Sequence, residues 1–562
     1  MRITRQRKHR CSLWAAAAFV LFCLTGCSLL TRDYYEDYRE PPQQLNEVMA
    51  VRLEELSQSK PVTIEEAAAD AAKDAAVAGE PPESIELNLA EVRAVALANN
   101  LGLKVELVNP SLGQETVSEE QAQFEALLFG SIEHYKTDRR STILDGLARQ
   151  SQSTSYDMGV RIPLRTGGTV TVDFPLTRYD DQTAHVRTAG EKSKVIDPSY
   201  DAGLKFSISQ PLLRNAGIRT NTHAIRVAKY QRDIADAQTK LAAIRILANA
   251  DRAYWLLYAT RRELKVRQQQ YELALQQLDE AQKRVAAGDA PEIEIMRAQS
   301  GVAARLEAII IANTEVRRRQ RTLKRIMNRD GLSMSSRTGL ITTTDPNPLG
   351  LELDSKSLAE HAIANRMEML ELELRLAIDA STVDFERNGA LPLFVLDYEY
   401  RINGFSGSFN EAFRDLGGNS HVDHRVALLA EIPLGNQTAK SRLRYAMLQR
   451  IQRLATREQR RLIIRQEVYD AVDALEQDWQ RILAARQEVK LAGRTYEAEK
   501  RQFEVGLRTS TDVLEAAARV ADAQSREIRA LTAYEISQID IAFATGTLIG
   551  RGRVIWEPVG LD

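Results

Sequence analysis

Residues 468–505 read VYDAVDALEQDWQRILAARQEVKLAGRTYEAEKRQFEV, with an apolar side chain at every seventh position: Val468, Leu475, Ile482, Val489, Tyr496 and Phe503. The ladder lies inside Asn436 to Val505, a stretch with no proline and a single glycine. A second stretch of similar length, Arg219 to Ala287, has neither, and repeats Leu257, Leu264, Tyr271, Leu278 and Val285 at the same spacing. Moving the later ladder back by 218 residues superimposes it on the earlier one and sets Val468 opposite Ala250. At about 1.5 Å per residue each stretch makes a helix roughly 100 Å long. A sustained seven-residue apolar repeat predicts supercoiled packing along that length.

The chain has 562 residues, a formal net charge of −2, 6% aromatic and 27% charged residues. That composition suits extended, solvated helices better than a thick core. Near-neutrality excludes nucleic-acid binding driven by overall basicity. The start combines Arg2, Arg5, Arg7, Lys8 and Arg10 with an apolar run from Leu13 to Leu24 and closes on Leu24-Thr25-Gly26-Cys27. This resembles a bacterial lipobox, which implies a signal peptide over 1–26 and lipidation of Cys27. An ordinary signal peptide or a short membrane anchor would begin similarly, though the apolar run is short for a bilayer. By the same resemblance Ser28, a non-aspartate, favours the outer membrane. Cys11 and Cys23 would leave with the leader, so the mature chain expects no disulfide, no cysteine metal site and no cofactor beyond the lipid. Residues 27–87 follow as an acidic tether; from Asp33 to Glu86 there are fourteen acidic and four basic residues, with a helix-prone stretch at Glu65 to Ala78.

Beyond the tether the chain is duplicated. Ala96-Leu97-Ala98-Asn99 matches Ala362-Ile363-Ala364-Asn365 at an offset of 266, inside helices with expected caps at Asn88 with Glu91 and at Ser357 with Glu360. The expected organisation is a first α-β-α repeat over 88–329, a linker over 330–356, a second repeat over 357–548 and a tail over 549–562. The hairpin turns are Gly288-Asp289-Ala290-Pro291 and Gly506-Leu507-Arg508-Thr509. Returning helices carry Ile295, Val302, Ile309, Val316 and Leu323, echoed by Val513, Val520, Tyr534 and Ile541, with Glu527 breaking the echo. An opening helix from Leu89 to Glu119 stacked on a return from Glu292 to Arg329 would match one long helix in length, so each half predicts one continuous and one broken rod.

Between opening and long helices the period becomes two. Tyr156, Met158, Val160, Ile162 and Leu164 alternate with polar residues; Val170, Val172, Phe174 and Leu176 follow Thr166-Gly167-Gly168-Thr169; then come Leu204, Phe206 and Ile208. The second half offers Leu393 to Ile402 and His424 to Ile432. A soluble sandwich shows the same alternation; the anchor and the rods favour a membrane barrel, closed by several copies.

The order of opening helix, strands, Gln210-Pro211-Leu212-Leu213-Arg214-Asn215, a long helix with Ala253-Tyr254-Trp255, a glycine turn and a return, given twice, resembles the TolC-like outer-membrane efflux protein family. The second half is the closer match, through Ile432-Pro433-Leu434-Gly435, Asp512-Val513-Leu514-Glu515-Ala516 and Ala544-Thr545-Gly546. The resemblance implies a homotrimeric outer-membrane β-barrel, about four strands per protomer, continued by a long periplasmic α-helical barrel. It also implies a passive export duct of an efflux or type I secretion system, working with a periplasmic adaptor and an inner-membrane transporter. The extended strand region Thr137 to Tyr200 departs from the family and leaves the strand count open.

Asp512 and Glu515 share one face just past the second turn. By resemblance they line the closed pore constriction, where six carboxylates of a trimer would raise one another's pKa. The same residues would also serve simply as a helix start, Thr509 with Asp512 forming a capping box. Arg508 is expected to latch the tip by pairing with Glu294. No phosphate loop, metal spacing or nucleophile motif points to an enzyme. Tyr254 and Trp255 are expected to pack between helices. A lipid-anchored periplasmic adaptor would show one hairpin rather than two, and a purely structural coiled-coil lipoprotein would leave the amphipathic strands unexplained.

Overall fold

The first half opens with β1 (Ser84–Leu87), α1 (Leu89–Asn99), α2 (Leu101–Glu106) and α3 (Asn109–Ala122), and continues through β2 (Leu127–Asp138), β3 (Gln150–Pro163), β4 (Thr169–Gln182) and β5 (Ser199–Pro211). It ends with α4 (Ile218–Asn221), α5 (His223–Ala286) and α6 (Ile293–Met327). After β6 (Gly339–Thr342) the second half runs α7 (Ser355–Asn365), α8 (Met367–Gly389), β7 (Leu393–Ser406), α9 (Phe409–Gly418), β8 (Val422–Glu431), α10 (Gln437–Glu504), α11 (Ser510–Ala544) and α12 (Leu548–Arg551). This computed structural model describes residues 83–138, 150–182, 198–419, 421–505 and 507–552. The leader, Cys27, the helix-prone stretch at Glu65 to Ala78, Gly506 and most of the tail lie outside the described residues.

The long helices α5 and α10 run 64 and 68 residues, and each pairs with a 35-residue return, α6 or α11. The seam is the heptad ladder. Ala250, Leu257, Val468, Leu475, Ile482 and Phe503 are buried, as are Ile309, Val316, Leu323, Val513 and Tyr534 on the returns. Each large side chain so buried stabilises by about 1.5–3 kcal/mol relative to exposure. Glu527 interrupts the ladder because Arg486 of the facing helix reaches it, Nε to Oε1 at 3.3 Å.

The broken rod is present, but the opening helix is in pieces. Asn100 adopts an extended ψ of 120°, and its side chain accepts from Leu103 N to cap α2. Its amide also donates to Ile326 O at 2.9 Å, and Asn328 Nδ2 donates to Asn99 O at 3.1 Å. The break thus docks on the end of the return helix, and α3 continues along α5 beyond it. Arg366, 266 residues later, has an extended ψ of 137° and splits α7 from α8 at the equivalent place. It is buried and bonds Glu368 at 2.6 Å and Glu467. The cap of α7 differs from expectation: Asp354, not Ser357, accepts from Lys356 N and Ser357 N. Asp354 has the carboxylate and the extended backbone that a cap requires, whereas Ser357 lies inside the first turn.

The linker folds back on the first half. β6 pairs in parallel with β1, so Ser84–Leu87, the last residues of the segment read as tether, belong to the helical fold. Buried Lys324 donates to Ser336 O at 3.0 Å and Thr338 O at 2.8 Å. Tyr254 accepts from Thr344 N at 2.8 Å and donates to Leu87 O at 3.2 Å. Trp255 packs edge-on against Tyr254 and Tyr258. Both aromatics therefore pack between helices, as expected. Nearby, Arg93 grips fully buried Asp251 with two bonds, Nε to Oδ1 at 2.8 Å and Nη2 to Oδ2 at 2.7 Å.

The strand count, about four with the region Thr137 to Tyr200 left open, resolves to six among the described residues. One antiparallel sheet holds six strands in the order β2-β3-β4-β5-β7-β8. Strand β2 carries no clear alternation in its sequence, because the Leu127-Leu128 pair and Gly130 blur it. The first half thus supplies four of the six strands and the second half two.

Removing the carboxylate of Asp251 leaves Arg93 without its buried partner. Asp251→Ala is expected to destabilise the helical fold by about 3–5 kcal/mol, read as a lowered denaturant midpoint in detergent. Removal of Asp540, which meets Arg252 on a half-exposed surface, should cost about 1 kcal/mol or less.

Candidate functional site

Two features have the form of a site: the hairpin tips and the sheet. At the first tip α5 ends at Gly288, whose φ of 82° is open to glycine and strained for other residues. Asp289 N donates to Arg284 O at 2.9 Å and Gly288 N to Val285 O at 3.0 Å, closing the last carbonyls of the helix. Pro291 O then accepts from Glu294 N at 3.0 Å as α6 begins. At the second tip Leu507 N donates to Gln502 O at 2.9 Å, the same closure five residues back.

Thr509 starts α11 with a full capping box. Its backbone N and hydroxyl both donate to Asp512 Oδ2, at 2.9 and 2.8 Å, and its hydroxyl accepts from Asp512 N at 3.3 Å. The backbone amide, then the hydroxyl, and more weakly the charge of Arg508 hold the Asp512 carboxyl below the ordinary aspartate range. Within one chain, then, the structure gives Asp512 the helix-start role. Glu515 points outward and meets Arg519 at 3.2 Å.

The residues proposed as a latch are not joined within one chain. Arg508 Nε lies 3.1 Å from Glu499 Oε2 and donates to Gln502 Oε1 at 3.0 Å. Glu294 pairs with Arg297 at 2.7 Å. The two hairpins are instead stitched elsewhere. The Arg284 guanidinium sits 4.1 Å from the ring centre of buried Phe503, a cation–π contact between the tips. Further from the tips Gln270 Nε2 donates to Ala517 O at 3.2 Å, and Arg252 Nε to Asp540 Oδ1 at 3.0 Å. Phe503 was visible as a ladder residue; nothing in the sequence marked Arg284 or Glu499 as partners.

The sheet is two-faced. Across the registers Leu128, Val160, Val172, Phe206 and Tyr400 stand side by side, and in the next row Met158 and Phe174 do the same. The alternate positions carry Asp157, Arg161, Asp173, Lys205, Asp397, Glu399 and Arg401. On that polar face Lys205 lies 3.7 Å from Asp173 and Arg401 lies 3.1 Å from Asp201. The apolar face is open: Leu128 is 79%, Ile132 73% and Val426 70% exposed. A small helix, α9, covers part of it, with Phe413 against Phe174 and Phe409 against Tyr200.

Because the folded pKa of Asp512 is lowered, its contribution to the helix start is present above the unfolded aspartate pKa and is lost as pH falls through the folded one. Protection of the first turn of α11 against hydrogen exchange should therefore hold down to the ordinary aspartate range and fall only below it. Thr509→Ala is expected to reduce that protection about fivefold at neutral pH, measured by mass spectrometry of peptides spanning 507–520.

Residues 358–547 match the family model described as outer membrane efflux protein. None of the curated proteins matches the chain significantly. Among solved structures, a membrane protein from Pseudomonas aeruginosa superposes with a TM-score of 0.61 at 17% identity, covering 82% of this chain and 93% of that one. The CmeC outer membrane channel of Campylobacter jejuni gives 0.60 at 14%, over 82% and 86%. The outer membrane protein VceC of Vibrio cholerae gives 0.57 at 14%, over 82% and 96%. The chain is thus similar to the outer membrane efflux protein family over residues 358–547, about a third of its length, and it carries the fold of these outer-membrane channels.

Proposed function

We propose that this chain is the outer-membrane channel of an efflux or type I secretion machine, a passive duct and not an enzyme. The observation that carries the reading is the sheet with one bare apolar face and one charged face, set on a pair of helical hairpins. In a barrel the apolar face meets lipid and the charged face lines water. Among the described residues no helix is long and apolar enough to cross a membrane, so in this reading the strands do the crossing.

Three copies supply the wall. Along α10, Tyr445, Leu448, Ile451 and Leu462 are exposed, and Leu434 at the base of the sheet is 98% exposed. In a trimer these side chains meet the neighbouring protomer. Amphipathic α9 carries Phe409, Ala412, Phe413 and Leu416 on one side and lies along the outer bilayer interface. Lipidation of Cys27 ties the chain to the same membrane. The tip faces a periplasmic adaptor and an inner-membrane transporter, which select the cargo.

In this reading Asp512 and Glu515 form the anionic constriction. Asp512 stays ionised at neutral pH because its own helix start holds the carboxylate, so capping and charge ring coexist. Arg508 fixes the turn through Glu499; a pairing with Glu294 of a neighbouring hairpin would require it to leave that partner.

Purified protein in planar bilayers should give discrete, cation-preferring conductance; protein that never inserts would end the channel reading. Asp512→Asn combined with Glu515→Gln should shift the reversal potential in a salt gradient towards non-selectivity. Arg508→Ala is expected to raise the closed-state conductance, and an unchanged value would remove Arg508 from the latch.

A further inference from the structure

Both outer edges of the six-stranded sheet, that of β2 and that of β8, lack a strand partner among the described residues. The strands are 12 and 10 residues long, enough to cross the hydrocarbon of a tilted barrel. An unpaired strand edge is not tolerated in lipid, where no water satisfies its amides and carbonyls. The question is whether β2 and β3 stand in the membrane with the other four strands or form a flap beside them.

Three observations place them in the wall. The apolar face continues from β8 to β2: Leu128, Ile132 and Met158 share the face of Val172 and Phe206 and are more exposed than those residues of the central strands. The turn between β3 and β4 is fastened at the helical end of the sheet: Gly217 N donates to Thr166 O at 2.9 Å, and Thr166 Oγ1 donates to Gln210 Oε1 at 2.8 Å. Gly167, at φ 91°, lies so close that a Cβ there would come within 2.2 Å of Asn215 O. The hairpin therefore spans the same height as β5, whose end supplies those partners. Finally, β2 leaves α3 and β8 leads into α10 at that same end. With an even number of strands the first and last run in opposite directions, so β8 of one copy meets β2 of the next as an antiparallel pair. An odd number would force a parallel one.

We infer that each chain contributes all six strands, that β8 pairs with β2 of the adjacent copy, and that the trimer closes as an eighteen-stranded barrel. This rests on the trimeric channel reading above. Barrel diameter grows nearly linearly with strand number, so the bore is about half again as wide as that of a twelve-stranded barrel. The added width lies in the membrane segment alone, since β3 and β4 connect to each other and not to a helix.

The test is cysteine cross-linking of the full-length chain in native membranes. Ser131→Cys in β2 is combined in turn with Asp423→Cys, Arg425→Cys and Ala427→Cys in β8, all on the polar face, with single-cysteine controls. Thr171→Cys in β4 is combined with the same three. Oxidation should give covalent trimers for one register of the Ser131 series and none for the Thr171 series. Cross-linking through Thr171, or conducting trimers that cross-link through neither, overturns the eighteen-stranded closure while the channel reading stands. Absence of both trimers and conductance overturns the channel reading and this inference together. Electron microscopy of the unaltered trimer, counting eighteen or twelve strands in cross-section, decides the matter without a substitution.

Discussion

A seven-residue apolar seam, in which Ala250, Leu257, Val468, Leu475, Ile482 and Phe503 are buried, runs along two very long helices and organises the rest of the protein. A helix of 64 or 68 residues cannot close on itself, so each needs a companion over its full length. The return helices supply 35 residues of it, and the opening helices supply the remainder from the other side of a turn. The break in each companion is not a defect. Asn100 and Arg366 are extended at matching places: Asn100 caps α2 through Leu103 N and bonds Ile326 O, whereas Arg366 makes no side-chain cap bond and is held by ion pairs with Glu368 and Glu467.

The same seam leaves surface over. A helix in a pair buries one stripe, while α10 carries apolar residues on more than one, and those away from α8 and α11 are bare in a single chain. The sheet repeats this imbalance in another geometry, with one face apolar and exposed and the other charged, where Lys205 meets Asp173 and Arg401 meets Asp201. Both imbalances are relieved by neighbours of different kinds in the proposed assembly, protein against the helices and lipid against the strands. The tip obeys the local rules of helix ends first: Gly288 closes one helix and Thr509 with Asp512 opens another. In the proposed assembly a constriction at this turn would use a carboxylate that its own helix start already holds low in pKa.

Much of this was legible in the sequence because it is periodic or local. Heptads, strand alternation, the glycine at 288 and the box at Thr509 and Asp512 depend on neighbours within a few residues, and the duplication showed which signals to believe. Strand β2 was lost because its alternation is broken by Gly130 and by adjacent leucines, and it is fixed as a strand by its register with β3. The cap of α7 is Asp354, three residues before Ser357; both are capping residue types, and only the backbone conformation separates them.

The sequence by itself determined the two hairpins, the strand-bearing segments, the likeness to outer-membrane efflux proteins and the residues at the tips, since each is set by spacing along the chain. Tertiary structure decided that Arg508 reaches Glu499 within one chain, that Arg284 covers Phe503, that Ser84–Leu87 joins the linker, and that the sheet has six strands. These are contacts between segments remote along the chain or turned back by a bend. Their partners are chosen by where folded elements bring long side chains and free strand edges together, which no local pattern encodes.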